Sequence, residues 1–276
     1  MNLKDKLKGL PPIILATIDE RPDKREYAET QYDYWGIKDY TVVSGSKYQL
    51  STYEDYWKDL VVLNPFPEGY KRKNWHIAEL SITLAHLVNI KNWLETTNDP
   101  YVIIMEDDYD LSFIEHWHFD WTYLMNNLPY DWDCIQMSMI TTGDIHVKLH
   151  LKFINDFSAA AYLISRHHAA KIVKHHIRGD KYKLDNGVKP RAVSEDTILE
   201  TGKTYTIPLF LYNIALGSTI HAEHIGVFHQ GPHTALTNYW QQQGAGVDIR
   251  EWMNYDPYLG RITHHSSQQQ GENPTP

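Results

Sequence analysis

Residues 101 to 111 read YVIIMEDDYDL, a mostly apolar run that ends in Glu106, Asp107 and Asp108, with Asp110 close behind. Three adjacent carboxylates repel one another, so a chain that keeps them where a buried strand stops must neutralise them. A divalent cation is one answer. Mg²⁺ and Mn²⁺ are hard ions that take oxygen ligands, often one or two carboxylates from the protein and phosphate oxygens from a substrate. The trio then reads as half of a metal site whose other half arrives with a diphosphate. The plainer reading is an acidic loop start that faces water.

Two further groups carry chemistry. SEDTILE places Glu195 and Asp196 together at the start of a helical turn. Such a carboxylate can take a proton from a hydroxyl, or it can simply cap the turn. Glu79, Thr83 and His86 follow at steps of four and three, so they share one flank of a helix. That flank is either the wall of a site or a satisfied buried network. Arg25 could meet a diphosphate or stay solvated. His175-His176 and His264-His265 read as surface or tail residues.

The elements that would position these groups are legible from hydrophobic period and punctuation. IILATI after Pro11-Pro12 predicts a first strand. DERPDKREYAETQYDYWG predicts a loop and helix, with Asp23 as cap and Gly36 as stop. YTVVSGS predicts a second strand, and residues 51 to 72 an irregular stretch. From 74 to 96, Ile77, Leu80, Leu84, Leu87 and Leu94 build one apolar helical face, broken at Asn98-Asp99-Pro100. YVIIM, DCIQMSM and TYTIPLFL read as strands, FDWTYLMNNL and HHAAKIVKHH as helices. VKLHLKF alternates like a half-exposed strand and SAAAYLIS like a buried one, close enough to pair antiparallel.

Strands alternating with helices predict an α/β fold, its central sheet mixed, mostly parallel and flanked by helices. Ligands in such sheets bind beyond the carboxyl ends of the strands, which is where the trio falls. The pattern predicts one domain over residues 1 to 220, an extension over 221 to 262, and a disordered tail over 263 to 276.

Composition narrows the function. The 276 residues carry a net charge of −9, which disfavours broad phosphate-driven binding of nucleic acid. KRK at Lys71 to Lys73 is the best local basic patch. The lone Cys134 excludes an intramolecular disulfide and a thiolate metal cluster, and it predicts a buried, inert thiol in a reducing compartment. No apolar run approaches the roughly 20 residues that span a bilayer, and MNLKDKLKGLPP lacks the apolar core of a secretory signal. A soluble cytoplasmic protein is the expectation. The 19 Tyr and 9 Trp suit both packing and sugar-like surfaces.

VIIMEDD resembles the "VLILEDD" strand of glycosyltransferase family 25, the lipooligosaccharide and collagen galactosyltransferase group with a GT-A fold. Upstream, ELSITLAHL sets Glu79 and His86 at the spacing of that family's E-I-G-C-x-x-S-H helix, with Ser81-Ile82 in place of Gly-Cys. IDERPDKR offers Lys24 and Arg25 where the family has a charged loop. SAAAYLISRHHAAKIV is similar to its "G-x-x-A-Y-L-I-S-R-x-G-A-x-x-L" segment, and VSEDTILE with TYTIPLFL resembles its acidic turn and following strand. The likeness covers residues 13 to about 220.

It implies an inverting, metal-dependent transferase that moves a hexose from a nucleotide diphosphate sugar, UDP-linked, to an acceptor hydroxyl. Mn²⁺ or Mg²⁺ would sit on Asp108 and Glu106, with His229 or His233 of VFHQGPH as a later ligand. Asp107, Glu79, His86 and Arg25 would serve the donor, and Asp196, with Glu195 second, would be the base. The acceptor would be a glycan, a protein side chain or a modified nucleobase. Two readings compete: a metal-dependent hydrolase of phosphate esters or nucleotide sugars, and a sugar-binding module without catalysis.

Overall fold

A computed structural model describes residues 3–48, 77–139, 148–154, 156–184, 193–213 and 216. The expectations for 51–72, for Lys71 to Lys73, for His229, His233 and His264-His265, and for the C-terminal extension and tail fall outside those residues.

β1 (Ile13–Thr17) runs into α1 (Pro22–Trp35) and β2 (Tyr40–Ser44), followed by α2 (Ile77–Thr96) and β3 (Tyr101–Glu106). β4 (Tyr109–Asp110), α3 (Trp121–Asn127), β5 (Cys134–Ser138), β6 (His150–Leu151), β7 (Ala161–Ser165) and α4 (Arg166–His176) come next. A small hairpin of β8 (Ile177–Arg178) and β9 (Lys181–Tyr182), a π-helical turn at Glu195–Leu199 and β10 (Thr204–Tyr212) complete the described chain.

Eight of these strands form one mixed sheet in the order β2-β1-β3-β7-β5-β10-β4, with β6 also on β10, and β8 and β9 form a second, two-stranded sheet. β1 pairs in parallel with both β2 and β3, and β10 with β5. β7 lies antiparallel between β3 and β5. The five strands β1, β2, β3, β5 and β10 thus share a direction, so the fold is α/β with a mostly parallel sheet flanked by helices. VKLHLKF contributes only His150–Leu151 and pairs with β10, not β7. β7 is apolar on both faces, and such a strand gains most from a place inside the sheet.

The sheet is buried on both sides, and period two sorts its side chains. Ile103 and Met105 of β3, with Ala161 and Leu163 of β7, join a core of Tyr32, Trp35, Trp117, Trp121 and Phe210. Val102 and Ile104, with Tyr162 and Ile164, face α2 and α4 through Leu80, Leu84, Leu87 and Ile172. Pro208 falls where the β10–β5 register shifts, between Thr206 and Phe210. A residue with no N–H belongs at such a break.

Local signals set the helix ends. Ser165 caps α4 by accepting from the His168 N–H, and Asp120 caps α3 through Tyr123. Gly36 ends α1 in the left-handed region at φ 75°. Asp23 is not the α1 cap. Arg21 holds that position, Pro22 opens the helix, and Asp23 sits in the first turn bound to the Arg21 guanidinium at 2.7 and 2.9 Å. Pro suits the first helical position because its missing N–H would have no partner there. No helix among the described residues is long and apolar enough to cross a membrane.

Candidate functional site

The parallel pairing of β1 and β3 sets Ala16 beside Glu106, so Thr17 and the acidic trio share the carboxyl edge of the sheet. β3 ends at Glu106, and the chain turns at Asp107 and Asp108 before β4 pairs antiparallel with the end of β10. The Asn213 N–H closes the turn on the Asp108 carbonyl at 2.7 Å. The turn sends the three carboxylates in different directions, and each meets its own partner.

Glu106 Oε1 lies 3.1 Å from His86 Nε2, and His86 Nδ1 lies 2.8 Å from the Tyr162 hydroxyl. Asp107 accepts from the Thr17 hydroxyl at 2.6 Å. Asp108 Oδ2 pairs with Lys24 Nζ at 3.1 Å, and both side chains are at least nine-tenths buried. Asp108 Oδ1 is buried and has no hydrogen-bond partner among the described residues.

Burial is the main cause that pushes the Asp108 carboxyl up to about 6, with Glu106 and Asp107 adding to it against Lys24. Burial also raises Asp107, and Thr17 and Lys24 oppose it. The chain therefore neutralises most of the trio from within. His86, Thr17 and Lys24 make the trio tolerable, and among the described residues one oxygen, Asp108 Oδ1, is left over.

Lys24 was masked in the sequence by its neighbour. It falls in step with Ala28, Tyr32 and Trp35, the buried stripe of α1. A lone charge on that stripe was the signal available. Arg25 is one residue on, about 100° around the helix, and it pairs with Glu29 on the surface at 3.3 Å. Arg25, expected to meet the donor, thus lies on the exposed flank of α1, whereas Lys24 faces the trio. Arg21 stands at the mouth of the same edge and donates to the Leu216 carbonyl at 3.2 Å. Its guanidinium pKa is raised by Asp23 first, with Asp107 and Asp108 also contributing.

The helix flank of Glu79, Thr83 and His86 divides. His86 is fully buried against Glu106 and Tyr162, whereas Thr83 donates to the Glu79 carbonyl at 2.7 Å. Glu79 is half-buried and lies about 10 Å along α2 from His86.

The Glu195-Asp196 pair sits against the same edge. The Ser158 N–H donates to Glu195 Oε1 at 3.2 Å, the Ala160 N–H to Ser158 Oγ at 3.1 Å, and the Glu106 N–H to the Ala160 carbonyl at 2.7 Å. This relay links Glu195 to the strand that carries the trio. Asp196 is buried inside the turn, whose cap position is Ser194, so it is not an N-cap carboxylate. Ser158 adopts φ 97°, and Gln136 straps its loop by donating to the carbonyls of Asp156, Phe157 and Ser158 at 3.2, 3.0 and 2.8 Å. Thr206 fixes that amide by donating to its oxygen at 2.8 Å. Gln136 and Ser158 had no sequence signal beyond an apolar strand and a small-residue run.

Among the described residues, no group of three or more His, Cys, Asp or Glu is gathered to hold a metal. The donors present are hard carboxylate oxygens, and Asp108 Oδ1 has no partner among the described residues. That set fits an ion that takes one or two carboxylates from the protein and the rest from phosphate and water. Two other expectations resolve elsewhere. Cys134 is buried and its thiol is pushed well up by burial, so it is inert. His176 is buried rather than superficial, with Nδ1 2.8 Å from the Lys183 carbonyl, because the β8–β9 hairpin folds over it.

An acidic site at the carboxyl edge of a mixed α/β sheet is the class that fold and geometry define. No family model and no curated protein matches the sequence. Among solved structures, the crystal structure of A197 from STIV is similar over 73% of this chain and 83% of that one, at 8% identity and a TM-score of 0.38. A likeness at that level carries no argument about function.

Proposed function

We propose that this chain is a metal-dependent glycosyltransferase that moves a hexose from a UDP-linked sugar to an acceptor hydroxyl with inversion. The observation that supports it most is Asp108: a carboxylate nine-tenths buried at the carboxyl edge of the sheet, one oxygen held by Lys24 and the other without a partner among the described residues. Asp108 and Glu106 would hold Mn²⁺ or Mg²⁺, with His229 or His233 as a further ligand. When bound, the cation supplies Lewis-acid neutralisation of the departing diphosphate.

The chain's own groups do the rest. Arg21 and Lys24 set positive charge beside the diphosphate. The acceptor oxygen attacks the anomeric carbon as its bond to phosphate breaks, through an oxocarbenium-like transition state. The hydroxyl proton goes to the Glu195-Asp196 pair, where the Ser158 N–H fixes Glu195 alongside the trio. These positions resemble the motifs of family 25 glycosyltransferases, which is what suggests the donor and the inversion.

The test is thermal denaturation with a panel of nucleotide sugars, each with and without Mn²⁺. A true donor raises the melting temperature with the metal present, since a ligand that binds only the folded state stabilises it, and Asp108→Asn loses that rise. Absence of a metal-coupled shift with every donor overturns the reading. Free sugar as the product points to a hydrolase. Donor binding without turnover, unchanged by Asp196→Asn and Glu195→Gln, points to a binding module.

A further inference from the structure

Of the four buried residues of α1, Lys24 alone is charged. A lysine ammonium is a compact, strongly hydrated charge, and a chain buries one only against a partner. Here the partner is Asp108 Oδ2 at 3.1 Å. Thr17 and His86 only hydrogen-bond the other two acids, whereas Lys24 cancels a full unit of their charge. Arg21 contributes a second positive charge that Asp107 and Asp108 feel.

A divalent ion seated on Asp108 Oδ1 would lie on the far oxygen of the carboxylate that the ammonium already holds. Two cations a few ångströms apart, away from water, repel strongly. The trio alone therefore offers a weak seat. A diphosphate brings the negative charge that reverses the balance.

We propose that Lys24 makes cation binding conditional on the diphosphate, by reserving Asp108 Oδ2 and leaving Oδ1 as the single oxygen this residue gives to a metal. The proposal rests on the metal-dependent reading above and adds an order to it: nucleotide with or before the ion. Lys24 acts through Asp108 and is a positioning residue.

The test titrates Mn²⁺ into the 276-residue chain, alone and with UDP, by calorimetry or by the electron spin resonance of the free ion. Wild type binds Mn²⁺ roughly 100-fold tighter with UDP than alone, within the usual range of coupling between sites. Lys24→Met tightens Mn²⁺ alone roughly tenfold and shrinks the advantage of UDP by a similar factor. Lys24→Arg keeps the charge and behaves as wild type. If Lys24→Met proves too unstable to titrate, Lys24→Gln, which is neutral but keeps a polar end, takes its place.

Equal Mn²⁺ affinity in wild type with and without UDP overturns the proposal. So does a UDP advantage that Lys24→Met leaves unmoved, which spares the transferase reading. No Mn²⁺ binding in any variant or mixture overturns both.

Discussion

His86 bridges two strands: its Nε2 meets Glu106 Oε1 at 3.1 Å and its Nδ1 meets the Tyr162 hydroxyl at 2.8 Å. A carboxylate only accepts, so Nε2 carries the hydrogen. The Tyr162 hydroxyl, whose pKa burial raises far above its ordinary value, keeps its proton and donates to Nδ1. The chain Tyr162–His86–Glu106 therefore aims one carboxylate of the trio. Tyr162→Phe leaves a buried ring nitrogen unpaired and should cost about 1–3 kcal/mol. His86→Leu strands both neighbours and should cost more. Urea denaturation measures both, and a His86→Leu chain as stable as wild type would refute the assignment.

Asp108 gives the site a pH signature. Its carboxyl titrates at about 6 in the folded chain against an ordinary 3.8, chiefly because it is buried. The folded state thus keeps a proton that the unfolded state loses. The stabilisation from that proton is full below 3.8 and disappears as the pH rises through about 6. The stability of metal-free wild type, less that of Asp108→Asn, should fall by on the order of 2–3 kcal/mol between pH 4 and pH 6.5. Urea titrations across that window check it. A flat difference would mean that Asp108 ionises as an exposed carboxylate does.

The sheet was legible because its strands are short apolar runs and its helices are punctuated by Gly36 and by Asn98-Asp99-Pro100. The trio was legible for the same reason, as charge that interrupts an apolar run. What neutralises it was not. Lys24 and Arg25 look equivalent in the string, and only the helical period separates a buried ammonium from a surface pair. Ser158 and Gln136 act through backbone atoms and a strap between strands, which no residue type announces. The expected pairing of VKLHLKF with SAAAYLIS failed because chain proximity does not decide sheet order. A strand buried on both faces goes inside, here between β3 and β5.

Far from the site, Gly202 keeps the opposite end of the sheet closed. A Cβ there would lie 2.6 Å from His168 Nδ1 and 2.7 Å from Asp133 Oδ2. Neither side chain is free to yield. Asp133 accepts from Lys171 at 2.8 Å, and His168 Nε2 lies 2.8 Å from the Ile198 carbonyl. Gly202→Ala should destabilise the chain by about 1–3 kcal/mol, the usual cost of overpacking. A melting temperature equal to that of wild type would show that the loop simply moves aside.

Ser158 separates two things a residue can do at a strained position. Its φ of 97° lies where a side chain is disfavoured, yet its N–H serves Glu195 and its Oγ accepts from the Ala160 N–H at 3.1 Å. Ser158→Ala keeps the strain and strands the Ala160 donor, so it should cost about 1–2 kcal/mol. Ser158→Gly loses the same bond but relieves the backbone, so it should fall closer to wild type. The N–H to Glu195 survives in both. If that contact is what places Glu195, both variants should retain metal-coupled donor binding, and turnover should follow stability rather than collapse. Denaturation midpoints with a donor-release assay decide it: an Ala variant as stable as Gly would show that φ at 158 carries no strain.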